Sequence, residues 1–162
     1  LSTHESAIRI ISKTGVLNNP ADRDHCLQYM TAIGLLKGNL VAEDYEANVA
    51  SDPRVDMLRE LMSVEEDERY SREYHEEDKR SIANAIQIHF KDGSTTEKVE
   101  VEYPIGHKFR RAEGMPLLQE KFAENLLVRF PATQANLVLR MCNDSESFDN
   151  TPVQDFMSAL VI

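Results

Sequence analysis

The residues that this 162-residue chain lacks or has few of exclude several classes of protein. It contains no tryptophan and only two cysteines, Cys26 and Cys142, both set in apolar helical patterns. This placement is typical of buried free thiols in a reducing compartment. Two thiolates are also too few to hold an iron–sulfur cluster without outside ligands. No apolar run approaches the ~20 residues of a membrane-spanning helix, so we expect no membrane association.

Motifs for common cofactors and metals are also missing. The chain has no glycine-rich phosphate loop, no Cys-x-x-Cys pair and no His-Glu-x-x-His sequence. We therefore expect no cofactor and no metal. The chain begins at Leu1 rather than at a methionine, and we expect it to be a fragment of a longer protein.

Charge is abundant but unevenly distributed. The formal net charge of −10 argues against nucleic acid as a partner. Residues 43–80 hold 14 acidic and 6 basic residues, which is most simply a solvated acidic face. Residues 104–111 hold three basic residues and no acid. A small anion could therefore find a local positive site on a protein that is acidic overall.

The clearest helix signal lies at Asn18–Leu36. Asn19 is a suitable N-cap, and Pro20 fits the first helical position because its missing N–H would be unpaired there. Apolar residues then recur with helical spacing until Gly38 ends the pattern. We predict one long helix.

Three polar residues share one stripe of that predicted helix. Asp22, His25 and Tyr29 are spaced i, i+3 and i+7, so they would lie on one face. Such a stripe could hold a proton-transferring or anion-binding group. The alternative is that His25 and Tyr29 lie at the helix edge with their polar tips in water.

An antiparallel hairpin is the strongest strand signal. Apolar and polar residues alternate in Ala85–Phe90 and again in Val99–Tyr103, with a turn at Lys91–Ser94 between them. Lys98, Glu100 and Glu102 would form a solvent-exposed face. We predict the α+β class, with a small antiparallel sheet that has helices on one face, followed by C-terminal helices.

The other predicted elements follow from local periodicity and start signals. In chain order they are a strand within Ser2–Ile11 that gives way to a turn or short helix, a helical turn near Tyr45, a helix of about ten residues after Pro53, a short strand at 62–64, a surface loop at 65–79 that could hold a helical turn, and C-terminal helices starting near 117, 135 and 153.

A basic loop follows the hairpin. His107, Lys108, Arg110 and Arg111 lie in a segment without apolar periodicity. Loops of this kind often carry function because a rigid scaffold positions them. The equally simple interpretation is an exposed basic loop.

Four stretches resemble the MmgE/PrpD superfamily in order and spacing: NNPADRDHCLQYM, SIANAIQIHFKDGS, VEYPIGH and TPVQDFMSALVI. The resemblance covers essentially the whole chain. Since family members are much longer, it implies that this chain is about the C-terminal third. Residues 1–130 would be most of an α+β lid domain, and residues 131–162 would be C-terminal helices that return to a helical domain outside this chain.

The resemblance also implies an activity and a site. The activity is a cluster-independent dehydration of the tricarboxylate 2-methylcitrate to 2-methyl-cis-aconitate in propionate catabolism. A similar His-x-x-Gln-Tyr in related cis-aconitate decarboxylases carries over to His25, Gln28 and Tyr29, with His25 and Tyr29 as catalytic residues and Gln28 as a substrate contact. From charge alone, we add His107, Lys108 and Arg110 as substrate contacts.

Partners and location follow from the same resemblance. The partners are the upstream helical domain of the same enzyme and a second copy of the enzyme in a homodimer. The location is the cytoplasm, or the mitochondrial matrix in a eukaryote. Alternatives are a related enzyme such as a cis-aconitate decarboxylase, or a non-catalytic module when the chain is isolated. Because most of the family's catalytic groups would lie upstream, we expect no activity from this chain alone. The apolar C-terminal helices would then self-associate or be disordered after about residue 131.

Overall fold

The chain forms two compact units in a computed structural model that describes residues 1–161. The first unit is Leu1–Pro104, and the second begins at Ile105. The α+β class predicted from the sequence is confirmed. The domain boundary predicted at residue 130 rests on the resemblance to longer proteins and stays a prediction. Within the described residues, no helix is long and apolar enough to cross a bilayer.

The first unit combines short helices with a small sheet. Its elements are β1 (Ser2–Thr3), α1 (Glu5–Ile11), α2 (Pro20–Asp24), α3 (Leu27–Lys37), a 3-10 turn (Ala42–Tyr45), α4 (Ala47–Ala50), α5 (Pro53–Glu60), β2 (Glu65–Glu66), α6 (Glu68–His75), β3 (Asn84–Ile86) and β4 (Val99–Val101). The second unit is helical, with a 3-10 turn (Lys108–Arg110), α7 (Arg111–Arg129), α8 (Ala132–Asn143), α9 (Ser145–Asn150) and α10 (Val153–Ala159).

The single long helix predicted over Asn18–Leu36 is wrong, because the chain breaks between α2 and α3. The predicted start is confirmed, since the Asn19 side chain accepts a hydrogen bond from the Asp22 N–H at 2.9 Å. The predicted end is confirmed as well, with Gly38 in the left-handed region at φ +80°. Asp, His and Cys are weak helix formers, and three in succession precede Leu27. The chain changes direction there.

The sheet is mixed rather than purely antiparallel. Its strand order is β2-β1-β3-β4, and β1 pairs with β2 in parallel. The helical segments between β1 and β2 give the chain the long crossover that a parallel pair needs. The predicted hairpin is confirmed, with Ala85 opposite Glu100 and a turn in which Gly93 has φ +87°. The strand predicted at 62–64 begins three residues later, at Glu65.

Helix α6 occupies most of the segment 65–79, for which the sequence predicted a surface loop with at most a helical turn. Tyr70 is fully buried on this helix, and its hydroxyl donates to a carboxylate oxygen of Glu100 at 2.5 Å. Arg69 donates to the same carboxylate at 2.6 Å and holds its pKa below the usual range. The strand face predicted to be solvent-exposed at Glu100 therefore contacts α6, because opposite charges and a tyrosine satisfy its carboxylate.

Each unit has its own hydrophobic core. In the first, the core joins α3 and α5 through Cys26, Tyr29, Ala32, Ile33 and Val55. In the second, α7, α8 and α10 meet around Leu126, Ala135, Val138, Phe156 and Leu160. Both cysteines are free; Cys26 is buried and Cys142 is half-buried.

The apolar residues of the C-terminal helices are only partly without partners. Val138, Phe156 and Leu160 pack within the second core. Leu137, Val153 and Met157 are 42%, 78% and 55% exposed. Self-association through this exposed set stays a prediction, and its surface is smaller than the sequence indicates.

Asp44 ties α3 to the 3-10 turn. The residue is 1% exposed, and its carboxylate accepts hydrogen bonds from the Lys37 ammonium and, at 2.9 Å, from the Val41 N–H. The Lys37 bond is the main cause that lowers the pKa of Asp44. A lowered pKa in the folded state stabilises the fold above the unfolded pKa of about 3.9, and this contribution is lost as the pH falls through the folded value.

We expect Asp44→Asn to reduce the free energy of unfolding at pH 7 by about 2 kcal/mol, since hydrogen bonds to a charged group are lost. The loss should shrink as the pH falls from about 4 toward the lowered folded-state pKa of Asp44, and it should vanish below that pKa, where the wild-type carboxylate is protonated too. Urea denaturation at several pH values measures both effects. Glu43→Gln, an exposed carboxylate of the same turn, is the matched control and should change little. Equal losses in the two variants would contradict this account.

Candidate functional site

The candidate site is a cavity of about 530 Å³ within the first unit. Its wall combines the loop before α2 with side chains from α2, α3, α4 and α5. Cavities of roughly 300–1,000 Å³ are typical of sites for small molecules. The two predicted site residues Gln28 and Tyr29 both line it.

Tyr29 is a buried residue of this wall. It is 2% exposed, and its hydroxyl donates to the Asp44 carbonyl oxygen at 2.5 Å. Burial is the main cause that raises the pKa of the Tyr29 phenol, and the nearby Arg23 charge opposes the rise. A phenol with a raised pKa keeps its proton at neutral pH, so it can donate a hydrogen bond but is a poor base.

Gln28 holds the loop before α2, which forms part of the same wall. It is 4% exposed; its side-chain oxygen accepts from the Lys13 N–H at 3.3 Å, and its amide nitrogen donates to Ser12 Oγ at 3.1 Å. These bonds fix the position of the loop relative to α3. The Gln28 amide thus shapes the cavity in this structure.

Sequence reasoning missed the three cations of the cavity wall, which are Lys13, Arg23 and Arg59. Two carboxylates, Asp56 and Glu60, line the same cavity. A signal for Arg59 was present, because it shares an i, i+4, i+7 stripe with the apolar residues Val55 and Met62.

The predicted stripe of Asp22, His25 and Tyr29 is wrong, because the break before α3 separates its members. His25 is the C-cap of α2, its side chain is 58% exposed, and its Nδ1 lies 2.5 Å from an Asp24 carboxylate oxygen. Among the residues that the structure describes, His25 is not part of the cavity wall. The structure therefore brings Gln28 and Tyr29 together, but not His25.

The basic residues after the hairpin lie in the second unit. His107 caps the 3-10 turn by accepting from the Phe109 N–H at 3.3 Å. The Lys108 ammonium lies 4.9 Å from the centre of the Phe109 ring. Arg110 donates to the Glu113 carboxylate at 2.6 Å, so much of its charge is compensated locally. Their predicted role in substrate binding stays a prediction.

Metal ligands are not clustered in the part of the chain that the structure describes. No group of three or more His, Cys, Asp or Glu side chains there has the geometry to hold a metal ion. The cavity wall combines three cations with two carboxylates and the Gln28 and Tyr29 side chains.

These features define the class of protein: an α+β domain with a cavity of small-molecule size that is lined by a tyrosine, three basic residues and two acidic residues. The family model described as "MmgE/PrpD C-terminal domain" matches residues 1–145, so the chain belongs to this family. The resemblance noted in the sequence is thereby confirmed.

Curated relatives resemble the chain along its whole length. It is 51% identical to "2-methylcitrate dehydratase" of Escherichia coli (strain K12). The matched region covers 100% of this chain and 34% of the relative. The chain is 49% identical to the protein of the same name from Cupriavidus necator, and the match again covers 100% of this chain and 34% of the relative. With "2-methylcitrate dehydratase, mitochondrial" of Yarrowia lipolytica the identity is 50%, over 99% of this chain and 31% of the relative. The chain thus spans about a third of the length of these relatives.

We expect Tyr29→Phe to reduce the free energy of unfolding by about 1–2 kcal/mol, because the buried Asp44 carbonyl loses its side-chain donor. Tyr45→Phe is the matched control, since the Tyr45 ring packs on the same core and its hydroxyl makes no hydrogen bond within residues 1–161. Denaturant unfolding of both variants measures the difference. Equal stability of Tyr29→Phe and wild type would show that the hydroxyl does not hold the turn.

Proposed function

We propose that this chain is the C-terminal part of a 2-methylcitrate dehydratase, a hydro-lyase of propionate catabolism. The observation that carries the proposal is the identity of about 50% to proteins of that name over the whole chain. The cavity beside Tyr29 supports it, because its size and its donors suit a small polycarboxylate. Localisation in the cytoplasm, or in mitochondria in a eukaryote, is part of the same proposal.

Loss of water from 2-methylcitrate breaks one C–H bond and one C–O bond. A base takes the proton, an acid protonates the departing hydroxyl, and cations hold the three carboxylates. The products are 2-methyl-cis-aconitate and water. Most of this apparatus belongs, in our proposal, to the part of the longer enzyme that precedes Leu1.

Tyr29 is the donor that this chain contributes. Its raised pKa suits a group that gives a hydrogen bond or a proton rather than one that takes a proton. The hydroxyl donates to Asp44 in the structure, so donation to the substrate requires exchange of that bond. We propose His25 as a second catalytic group, and Gln28, His107, Lys108 and Arg110 as substrate contacts. A homodimer of the longer enzyme is proposed with them.

The full-length protein should convert 2-methylcitrate to 2-methyl-cis-aconitate. The ultraviolet absorbance of this conjugated product measures the reaction. The same preparation is assayed for carbon dioxide release from cis-aconitate. Decarboxylation of cis-aconitate without turnover of 2-methylcitrate would place the protein in another branch of the family.

In the full-length enzyme we expect Tyr29→Phe to lower kcat for 2-methylcitrate at least about tenfold, since acid assistance is worth roughly 10²–10⁴-fold. The assay is run well below the melting temperature of the variant, so that unfolding does not contribute. Tyr45→Phe, which does not remove a hydroxyl from the described cavity wall, should retain kcat within about twofold. Full activity of Tyr29→Phe would assign the hydroxyl to the fold alone.

The isolated 162-residue chain should show no turnover of 2-methylcitrate. Catalytic groups that act as a unit lose nearly all their effect when part of the unit is removed. Measurable turnover by the purified chain would contradict the placement of the remaining catalytic groups upstream.

A further inference from the structure

Arg23 is a buried cation without a described counter-ion. It is 7% exposed, and one terminal nitrogen of its guanidinium donates to the Tyr45 carbonyl oxygen at 2.6 Å. Its Nε has no hydrogen-bond partner. Within residues 1–161, none of the ion pairs includes Arg23. Burial of a charge is costly unless the charge is paired and hydrogen-bonded. Residues 1–161 do not supply an anion that pairs with Arg23.

Arg59 has a similar environment in the same cavity wall. Its side chain is 9% exposed, and its two terminal nitrogens donate to Asp56 at 2.5 Å and to the Gly15 carbonyl oxygen at 2.8 Å. Its Nε also has no hydrogen-bond partner. Two arginine side chains, each at least nine-tenths buried, thus line one cavity, and the Nε of each is buried without a hydrogen-bond partner.

The carboxylates of the wall do not neutralise Arg23. The Asp56 carboxylate is engaged with Arg59 and its side chain is 64% exposed, so it lies toward solvent. Glu60 is exposed as well. The third cation, Lys13, is already paired with Asp22 at 3.4 Å. The Asp22 charge also acts on Arg23, but the two make no ion pair, so Arg23 is the cation of the described wall without a paired anion.

We propose that Arg23, assisted by Arg59, anchors a carboxylate of a di- or tricarboxylate ligand in this cavity; the identity of that ligand as the substrate rests on the proposed function. A planar guanidinium with several fixed donors matches the geometry of a carboxylate better than an ammonium does. Tyr29 lines the same cavity and lies close enough to Arg23 for the arginine charge to act on its phenol. A carboxylate held by Arg23 thus places the rest of the ligand beside that hydroxyl.

Arg23 also holds the Tyr45 carbonyl, so a purely structural role must be separated from ligand binding. The probe is tricarballylate, a tricarboxylate without a hydroxyl group that cannot be dehydrated. Its dissociation constant is measured by calorimetry with the full-length protein and with Arg23→Gln, Arg23→Lys and Arg54→Gln. Arg54 is the matched control, because it lies on α5 with Arg59 but has a 65% exposed side chain.

We expect Arg23→Gln to weaken tricarballylate binding about 10- to 100-fold, which corresponds to one or two charged hydrogen bonds at 1.4 kcal/mol per tenfold change. Arg23→Lys keeps the charge but loses the planar donor pair, so it should be intermediate. Arg54→Gln should bind within about twofold of wild type. KM for 2-methylcitrate should rise in Arg23→Gln by more than kcat falls.

Folded Arg23→Gln protein that binds tricarballylate as well as wild type would overturn the proposal and leave Arg23 a structural role. If Arg23→Gln does not fold, Arg23→Lys decides in the same way. Wild-type protein that fails to bind tricarballylate also overturns it. Arg23-dependent binding without turnover of 2-methylcitrate would refute the dehydratase assignment and leave the carboxylate site standing.

Discussion

The cavity depends on one 3-10 turn, Ala42–Tyr45, whose last two carbonyl oxygens accept hydrogen bonds from Tyr29 and Arg23. These two donors come from α3 and α2, so the turn fixes two helices against a third segment. The Asp44 carboxylate is buried under the same turn and is neutralised by Lys37. If the turn moves, the phenol and the guanidinium move with it.

Because the chain breaks between α2 and α3, Arg23 and Tyr29 both donate to carbonyl oxygens of the 3-10 turn. In an unbroken helix, His25 would share a stripe with Tyr29, and Arg23 would continue the apolar face that contains Cys26. The break instead leaves His25 exposed as the α2 cap and places Arg23 under Tyr45. A locally positive site arises in this way within a chain whose formal net charge is −10. Local geometry, rather than the total charge, determines what the cavity can bind.

Elements with local signals were predictable from the sequence. Asn19 with Pro20, Asp52 with Pro53, and Gly93 in the hairpin turn each specify backbone geometry through their own side chain or its absence. The full length of helix α6 was not predictable: Asp67 caps its start locally, but the contacts of Arg69 and Tyr70 with Glu100 come from about thirty residues away.

The site was predictable only in part for the same reason. The family resemblance led to Gln28 and Tyr29, which do line the cavity. Arg23 and Arg59 were missed, since an arginine in a short polar helix is usually exposed and only tertiary packing buries these two. Their unused Nε donors become evident only in three dimensions.

The most direct test of the central claim is a crystal structure of the full-length protein with tricarballylate bound. The account predicts a ligand carboxylate within hydrogen-bond distance of the Arg23 guanidinium and the remainder of the ligand beside the Tyr29 hydroxyl. A structure in which a carboxylate side chain from another part of the protein pairs with Arg23, while the ligand binds elsewhere, would contradict it.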